Sequence, residues 1–341
     1  MRAPSAANAS AIERPMPRLA PVTITERPAS SRSIAPSFRR RGSQPRDAAS
    51  SGPAERGAVH SLNQAFAARS GSSRRQGLPT ADCSRGGMPL TALSFDGSVA
   101  TLTIDPPEAG YDGALLDGIA HAATELEARH PEISAVVVAS AGPDFGAGWS
   151  VDALAASEGV AALIALAGAA FDALAALPQP LVAAIGGRAH SACLELALAC
   201  DIRVAAEGAS FALPETGAGR IPHGGATQRL PRAVGRAQAL RLLLTGEEID
   251  AAEARRIGLV SSVVPDGEEL EAASAIARTI ASRGPLATRF AKEAIRRGSD
   301  LPLDQALSLE LELTVLLQTT EDRAEGVRAF IERRDPKFEG R

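Results

Sequence analysis

The sequence predicts an α/β core followed by a helical C-terminal region. Three observations carry this reading. A strand pair alternates around Asp96-Gly97, short β-branched runs alternate with alanine-rich helical stretches as far as residue 204, and helical segments dominate 237–333. Strands that alternate with helices build sheets covered by helices around one core.

Positions 91–95 and Val99–Ile104 alternate apolar and polar residues on either side of Asp96-Gly97, a hairpin signal. Residues 113–130 repeat apolar positions at helical spacing, and the run 135–138 reads as a short β-branched strand. The alanine-rich stretch 159–177 reads as a helix ended by Pro178 and Pro180. It comes nearest to a membrane span, but its alanines and Asp172 fit a packed helix better. Leu181–Ile185 reads as a buried strand, 192–200 as a helix and 202–204 as the strand after it. Beyond 237, helical segments are punctuated at Gly246, Gly258, Gly284-Pro285 and Pro302. Three regions follow: a basic extension over 1–87, an α/β core over 88–284, and a helical region over 285–341.

Composition separates the first region from the rest. Residues 1–87 carry 14 Arg, no Lys and 5 acidic residues, a net of +9, whereas residues 88–341 carry a net of −13. The extension is rich in Ser, Ala, Pro and Gly and has no sustained apolar period, so it cannot offset its ordering entropy and is expected to be disordered. It has the Arg- and Ser-rich, acid-poor make-up of a transit peptide. A nucleic-acid role is poorly supported, because interleaved aromatics are missing. A third reading is favoured, an untranslated or inert leader: Met88 opens the globular pattern, and Arg85-Gly86-Gly87 is what a purine-rich ribosome-binding sequence would encode. The 3 cysteines give no disulfide framework and read as reduced thiols packed as small hydrophobes, which places the chain in the cytoplasm. No ligand spacing suggests a metal, and no phosphate-binding loop or dinucleotide fingerprint is present.

The chemistry concentrates in 186–232, which reads GGRAHSACLELALACDIRVAAEGASFALPETGAGRIPHGGATQRLPR. Glu195 and Glu215 lie twenty residues apart there, in apolar and glycine-rich surroundings. Burial moves carboxylate pKa values toward neutrality, and an acidic pair so placed suits proton transfer at carbon. Ala192 stands at a predicted helix start, where the N–H is unsatisfied and the dipole favours negative charge. Glu195 follows one turn later on the same face. No GxSxG elbow surrounds Ser191, so a serine hydrolase is a poor reading.

This stretch resembles the signature region of the crotonase superfamily, the enoyl-CoA hydratase/isomerase family. That pattern runs GxALGGGxELALACD and then FGxPExxxGxxPGxGGTQRL. The likeness continues through Val234-Gly235-Arg236, Leu242-Leu243-Leu244-Thr245-Gly246 and Ile257-Gly258-Leu259-Val260 to a closing segment with Asp335-Pro336 and Phe338. It covers about residues 90–341. The resemblance implies an α/β fold of the crotonase type, a spiral of ββα units with a helical C-terminal region used for trimer contacts.

Carried over residue by residue, it implies that Glu195 activates water and that Glu215 gives and takes the proton at the α-carbon. Outside the motif, Glu215 would read as a solvated carboxylate at a helix start. The oxyanion would be held by the backbone N–H groups of Ala192 and Trp149, the latter within Phe145-Gly146-Ala147-Gly148-Trp149-Ser150, similar to the family's FxAGAD. Trp149 also reads as a core aromatic. Ala147, Gly148, His190, His223 and Gly224 are implied to line the substrate. His190 and His223 stand where leucine and glycine are usual, and Ser191-Ala192-Cys193 replaces Gly-Gly-Gly. Pro106-Pro107-Glu108-Ala109-Gly110 departs from the Arg-Pro…Asn-Ala segment near the adenine pocket.

The activity implied is that of a lyase adding water across the 2,3 double bond of an enoyl-CoA thioester, as in fatty acid metabolism. The alternatives are an isomerase or a C–C hydrolase on the same fold, or a weakly catalytic binding protein. No cofactor is expected, because coenzyme A is part of the substrate. The partners expected are that thioester and further copies of the chain in a homotrimer or homohexamer, with no nucleic acid and no membrane. Lys337 and Phe338 match the region where the family's neighbouring subunit approaches the coenzyme.

Overall fold

The first hairpin turns one residue later than the dipeptide suggests, Asp96 pairing with Val99 and leaving Gly97-Ser98 as the loop. The computed structural model of the chain describes residues 84–85, 88–108, 110–155 and 160–341. Strands β1 (Thr91–Asp96) and β2 (Val99–Ile104) are antiparallel, with Thr91 opposite Ile104. The expectations for 1–83 and for Gly86-Gly87 lie outside the described residues; Ser84–Arg85 pairs with Met88–Pro89 in a two-residue antiparallel ribbon.

After α1 (Gly113–Ala128), β3 (Ala135–Ser140) joins β2 in parallel. The short helix α2 (Val151–Ala155) and α3 (Val160–Ala176) then lead to β4 (Leu181–Ile185). The three-residue strand β5 (Arg188–His190) feeds α4 (Ala192–Ala199), followed by β6 (Ile202–Ala206) and β7 (Ser210–Ala212). A 3₁₀ turn over Pro214–Ala218 precedes α5 (Ala226–Val234) and α6 (Arg236–Thr245). Then come β8 (Ile249–Asp250), α7 (Ala251–Arg256) and β9 (Ser262–Val264). Four helices finish the chain: α8 (Glu269–Ala281), α9 (Pro285–Gly298), α10 (Leu303–Gln318) and α11 (Glu321–Glu332).

The main sheet has the order β9-β6-β4-β3-β2-β1, parallel except for the first hairpin. A smaller sheet, β8-β7-β5, stands beside it. Side-chain alternation along β3 divides the core between the two faces. Val136 and Val138 face the large cluster with Leu116, Ile119 and Phe171, while Ala135, Val137 and Ala139 face Ala273 and Ala277 of α8. The central strands β3 and β4 are thus buried on both faces, the α/β architecture predicted, while β1 at the edge is largely exposed.

Two partly buried cations lock the frame behind the site helix. Arg203 donates to the Cys200 carbonyl at the end of α4 at 2.7 Å and to the Leu259 carbonyl before β9 at 2.6 Å, so its guanidinium ties these two segments together. Lys292 of α9 meets Asp201 Oδ2 at 2.7 Å and the Gln179 carbonyl at 2.9 Å, which ties the helical region to the entry of β4. The chain end is held as well. Asp322 accepts from the N–H groups of Glu339 and Gly340, and Arg334 grips Glu325 with both guanidinium nitrogens. Phe338 lies against Gly284 and Gly326 of its own chain.

Candidate active site

The site forms where the small sheet runs into α4. β5 ends at His190, Ser191 makes the turn, and α4 begins at Ala192, with Glu195 N–H closing onto the Ser191 carbonyl at 3.1 Å. Ser191 N–H is itself held by the Ala212 carbonyl at the end of β7, so β5 and β7 of the small sheet both fix this corner. α4 is buried along its whole length, and Glu195 is 0% exposed.

Glu195 Oε1 accepts two backbone N–H groups, from Gly224 at 2.7 Å and Ala226 at 3.0 Å, at the start of α5. Oε2 is buried with no partner. Burial raises the carboxyl to about 7; the Ala226 and Gly224 donors pull it down, and the neighbouring Glu215 charge pushes it up. Burial wins because two neutral donors replace only part of the hydration a carboxylate loses. Gly224 permits this anchor: a Cβ there would lie 2.7 Å from Phe171 Cε2 and 2.9 Å from Glu195 Oε2. Arg229 pins the same segment, donating to the Gly224 carbonyl at 2.8 Å and pairing with Asp172.

Glu215 sits in the 3₁₀ turn at 1% exposure, not as a solvated carboxylate. Its Oε1 accepts from Ser191 Oγ, and its Oε2 is buried with no partner. Each glutamate therefore has one anchored oxygen and one unpartnered oxygen. That division suits proton transfer, since the anchored oxygen fixes the group while the other exchanges the proton.

The opposite wall is the segment 145–150. Tyr111 N–H donates to the Gly148 carbonyl at 2.8 Å, and Ser150 N–H donates to the Tyr111 carbonyl at 2.9 Å. This parallel bridge leaves the N–H of Trp149 outside it. No hydrogen bond engages the N–H of Trp149 or of Ala192 among the described residues. Gly148 lies so close to Ser191 that a Cβ on it would fall 2.8 Å from the serine Cβ, and its φ of +118° itself disfavours a side chain. The two segments that carry the free N–H groups are thus in van der Waals contact.

Trp149 is 7% exposed and stacks on His223, with ring centroids 4.6 Å apart. It is both a core aromatic and a wall of the site. Burial lowers the pKa of His223, against the opposing pull of the Ile221 carbonyl and the Glu215 charge. Ala147 is exposed at the rim. His190 is not brought to the pair: its Nε2 lies 3.0 Å from Ser210 Oγ and 3.8 Å from Glu248. Reading the motifs missed Arg229 and Phe171, and it weighed Ser191 only as a hydrolase nucleophile, not as the partner of Glu215. Arg229 stood in the GGATQRL run, whereas the serine hydroxyl left no sequence signal. Among the described residues no cluster could hold a metal ion.

Glu195 and Glu215, the free N–H groups beside them and the Gly224 anchor all fall within a matched family pattern. The family model described as enoyl-CoA hydratase/isomerase matches residues 94–341. The chain belongs to the enoyl-CoA hydratase/isomerase family. It is 40% identical over 247 residues to the 2,3-dehydroadipyl-CoA hydratase of Escherichia coli, covering 71% of this chain and 96% of that one. It is 37% identical over 253 residues to the short-chain-enoyl-CoA hydratase of Clostridium acetobutylicum, covering 73% and 96%. The crystal structure of an enoyl-CoA hydratase from Bacillus anthracis superposes with a TM-score of 0.70 at 35% identity, over 74% of this chain and all of that one. Family and crotonase-type fold both accord with the motifs.

Proposed function

We propose that this chain adds water across the 2,3 double bond of a 2-enoyl-CoA thioester. The observation that carries the reading is the pair of buried glutamates, each with one oxygen anchored and one unpartnered. The names of its hydratase relatives point the same way. The thioester oxygen sits between the N–H groups of Trp149 and Ala192, where developing enolate charge is stabilised by donors already in place. Ionised Glu195 takes a proton from water as its oxygen attacks C3, and Glu215 hands a proton to C2. A second anchored carboxylate favours hydration over isomerisation, which one proton carrier can perform. Purified protein should consume crotonyl-CoA with loss of the conjugated thioester absorbance. No consumption of crotonyl-CoA or of longer 2-enoyl thioesters would contradict the reading.

The pH dependence follows from Glu195. Its carboxyl, raised from 4.5 to about 7, must be ionised to act as base, so kcat should fall as pH drops through about 7. Folding responds in the opposite sense. Between 4.5 and about 7 the folded protein holds a proton that the unfolded chain has released, so stability declines as pH rises through this window. A pH–rate profile and melting curves over the same range check both limbs.

Assembly follows from the last helices. Leu303, Leu307, Leu311 and Val315 recur every fourth residue along α10 and are all exposed, and on α11 Phe330 is 84% and Ile331 73% exposed. A stripe of this kind is ordinarily covered by closed symmetric association. Light scattering should give a trimer or hexamer, and a fully active monomer would refute this. Cys193 and Cys200 are free and buried, which fits the cytoplasm, and no described helix is long and apolar enough to cross a membrane.

A further inference from the structure

Ser191 is buried with its backbone at φ 54°, ψ −124°. Among the described residues only Ser191 and Arg333 combine a side chain other than glycine's with positive φ. Arg333 is an ordinary left-handed helix cap. The Ser191 conformation is sparsely populated and strained for a residue with a Cβ, and glycine would adopt it freely. A serine kept there points to a use for the hydroxyl.

The surrounding chain shows what that use is. A strand, Arg188–His190, turns sharply through Ser191 into a helix, Ala192–Ala199. A strained strand-to-helix turn of this kind lifts a serine Oγ clear of the backbone and makes the next residue's N–H an oxyanion donor. The sequence carries Ala189 and Cys193 where such elbows carry glycine, and for that reason the motif is absent. The turn forms nonetheless, because the glycine that makes room, Gly148, lies on the facing segment. The hydroxyl donates to buried Glu215, a nucleophile on a base, and the N–H groups of Ala192 and Trp149 are unengaged. Nucleophile, base and oxyanion donors are what acyl transfer needs.

We propose that Ser191 is a nucleophile and that this site also hydrolyses the acyl-CoA thioester. The proposal rests on the acyl-CoA reading above. Ser191 Oγ forms a bond to the thioester carbonyl carbon and its proton passes to Glu215. The oxyanion collapses, the C–S bond breaks, and the CoA thiolate leaves with the proton from Glu215. Water then attacks the acyl-serine ester, Glu215 relays its proton back to Ser191 Oγ, and a free carboxylic acid departs. The sum is thioester plus water giving acid plus thiol, with no redox change.

The test uses the full chain with butyryl-CoA, which has no double bond to hydrate, and with crotonyl-CoA. Thiol release is followed with a thiol reagent and hydration by thioester absorbance. Thiol should be released from butyryl-CoA well above the enzyme-free rate, and Ser191→Ala and Ser191→Gly should each lower it by at least about 10²-fold. Ser191→Gly suits the positive φ, so circular dichroism should show it folded. Rapid quenching should leave the acyl mass on the peptide that contains Ser191. Thiol release no faster than without enzyme, or undiminished in folded Ser191→Gly, would overturn the proposal. Hydration without thiol release sinks the nucleophile and leaves the hydratase; thiol release without hydration does the reverse.

Discussion

Glu215→Gln and Glu195→Gln should each lower turnover of the best 2-enoyl-CoA by about 10²–10⁴-fold, with the fold and oligomer intact. At Glu195 an amide oxygen still accepts from Gly224 and Ala226, and the NH₂ takes the place of the unpartnered Oε2. At Glu215 the amide oxygen still accepts from Ser191 Oγ. What disappears in each case is the proton transfer. Because the losses fall on the chemical step, kcat should drop while KM changes little. Removing Glu195 should also abolish the limb of the pH–rate profile near 7. Near-parent kcat in either variant, with melting temperature unchanged, would rule out a two-carboxylate mechanism.

Gly148→Ala should be nearly as damaging without touching a side chain that does chemistry. The new methyl group meets Ser191 Cβ at 2.8 Å on a backbone at φ +118°, so the segment 147–149 must move away from the start of α4. The N–H of Trp149 then no longer converges with that of Ala192. Loss of one oxyanion donor costs about 10²–10³-fold in kcat, and the strained φ should lower the melting temperature besides. Steady-state kinetics alongside thermal melts checks this. A variant that melts early yet keeps parental kcat would show that Trp149 N–H plays no part in catalysis.

The elements with a long period were legible in the sequence. The first hairpin, the helix over 113–130 and the alanine-rich helix ended by Pro178 all appear within a residue or two of expectation. The small sheet was not legible. Arg188–His190, Ser210–Ala212 and Ile249–Asp250 are too short to display alternation, and they exist because the turns around them bring their backbones into register. Yet this sheet sets the corner at Ser191.

The two glutamates were readable because their flanking motifs are long. The histidines were not separable by sequence, since both lie beside site motifs. His190 ends a strand whose preceding residue, Ala189, is fully buried in the core, so its own ring points to Ser210 on the other side. His223 instead stacks on Trp149. The Ser191 hydrogen bond left no trace either, because a torsion angle decides it and no residue pattern records that angle.

In the proposed mechanism Glu195 and Glu215 divide water addition between C3 and C2. Crotonyl-CoA turned over in D₂O tests it most directly, with the product analysed by mass spectrometry and NMR. The product should be 3-hydroxybutyryl-CoA with the oxygen at C3 and a single deuteron at C2, formed at least about 10²-fold more slowly by Glu215→Gln. A moved double bond with no added water, or no reaction at C2 and C3 at all, would contradict it.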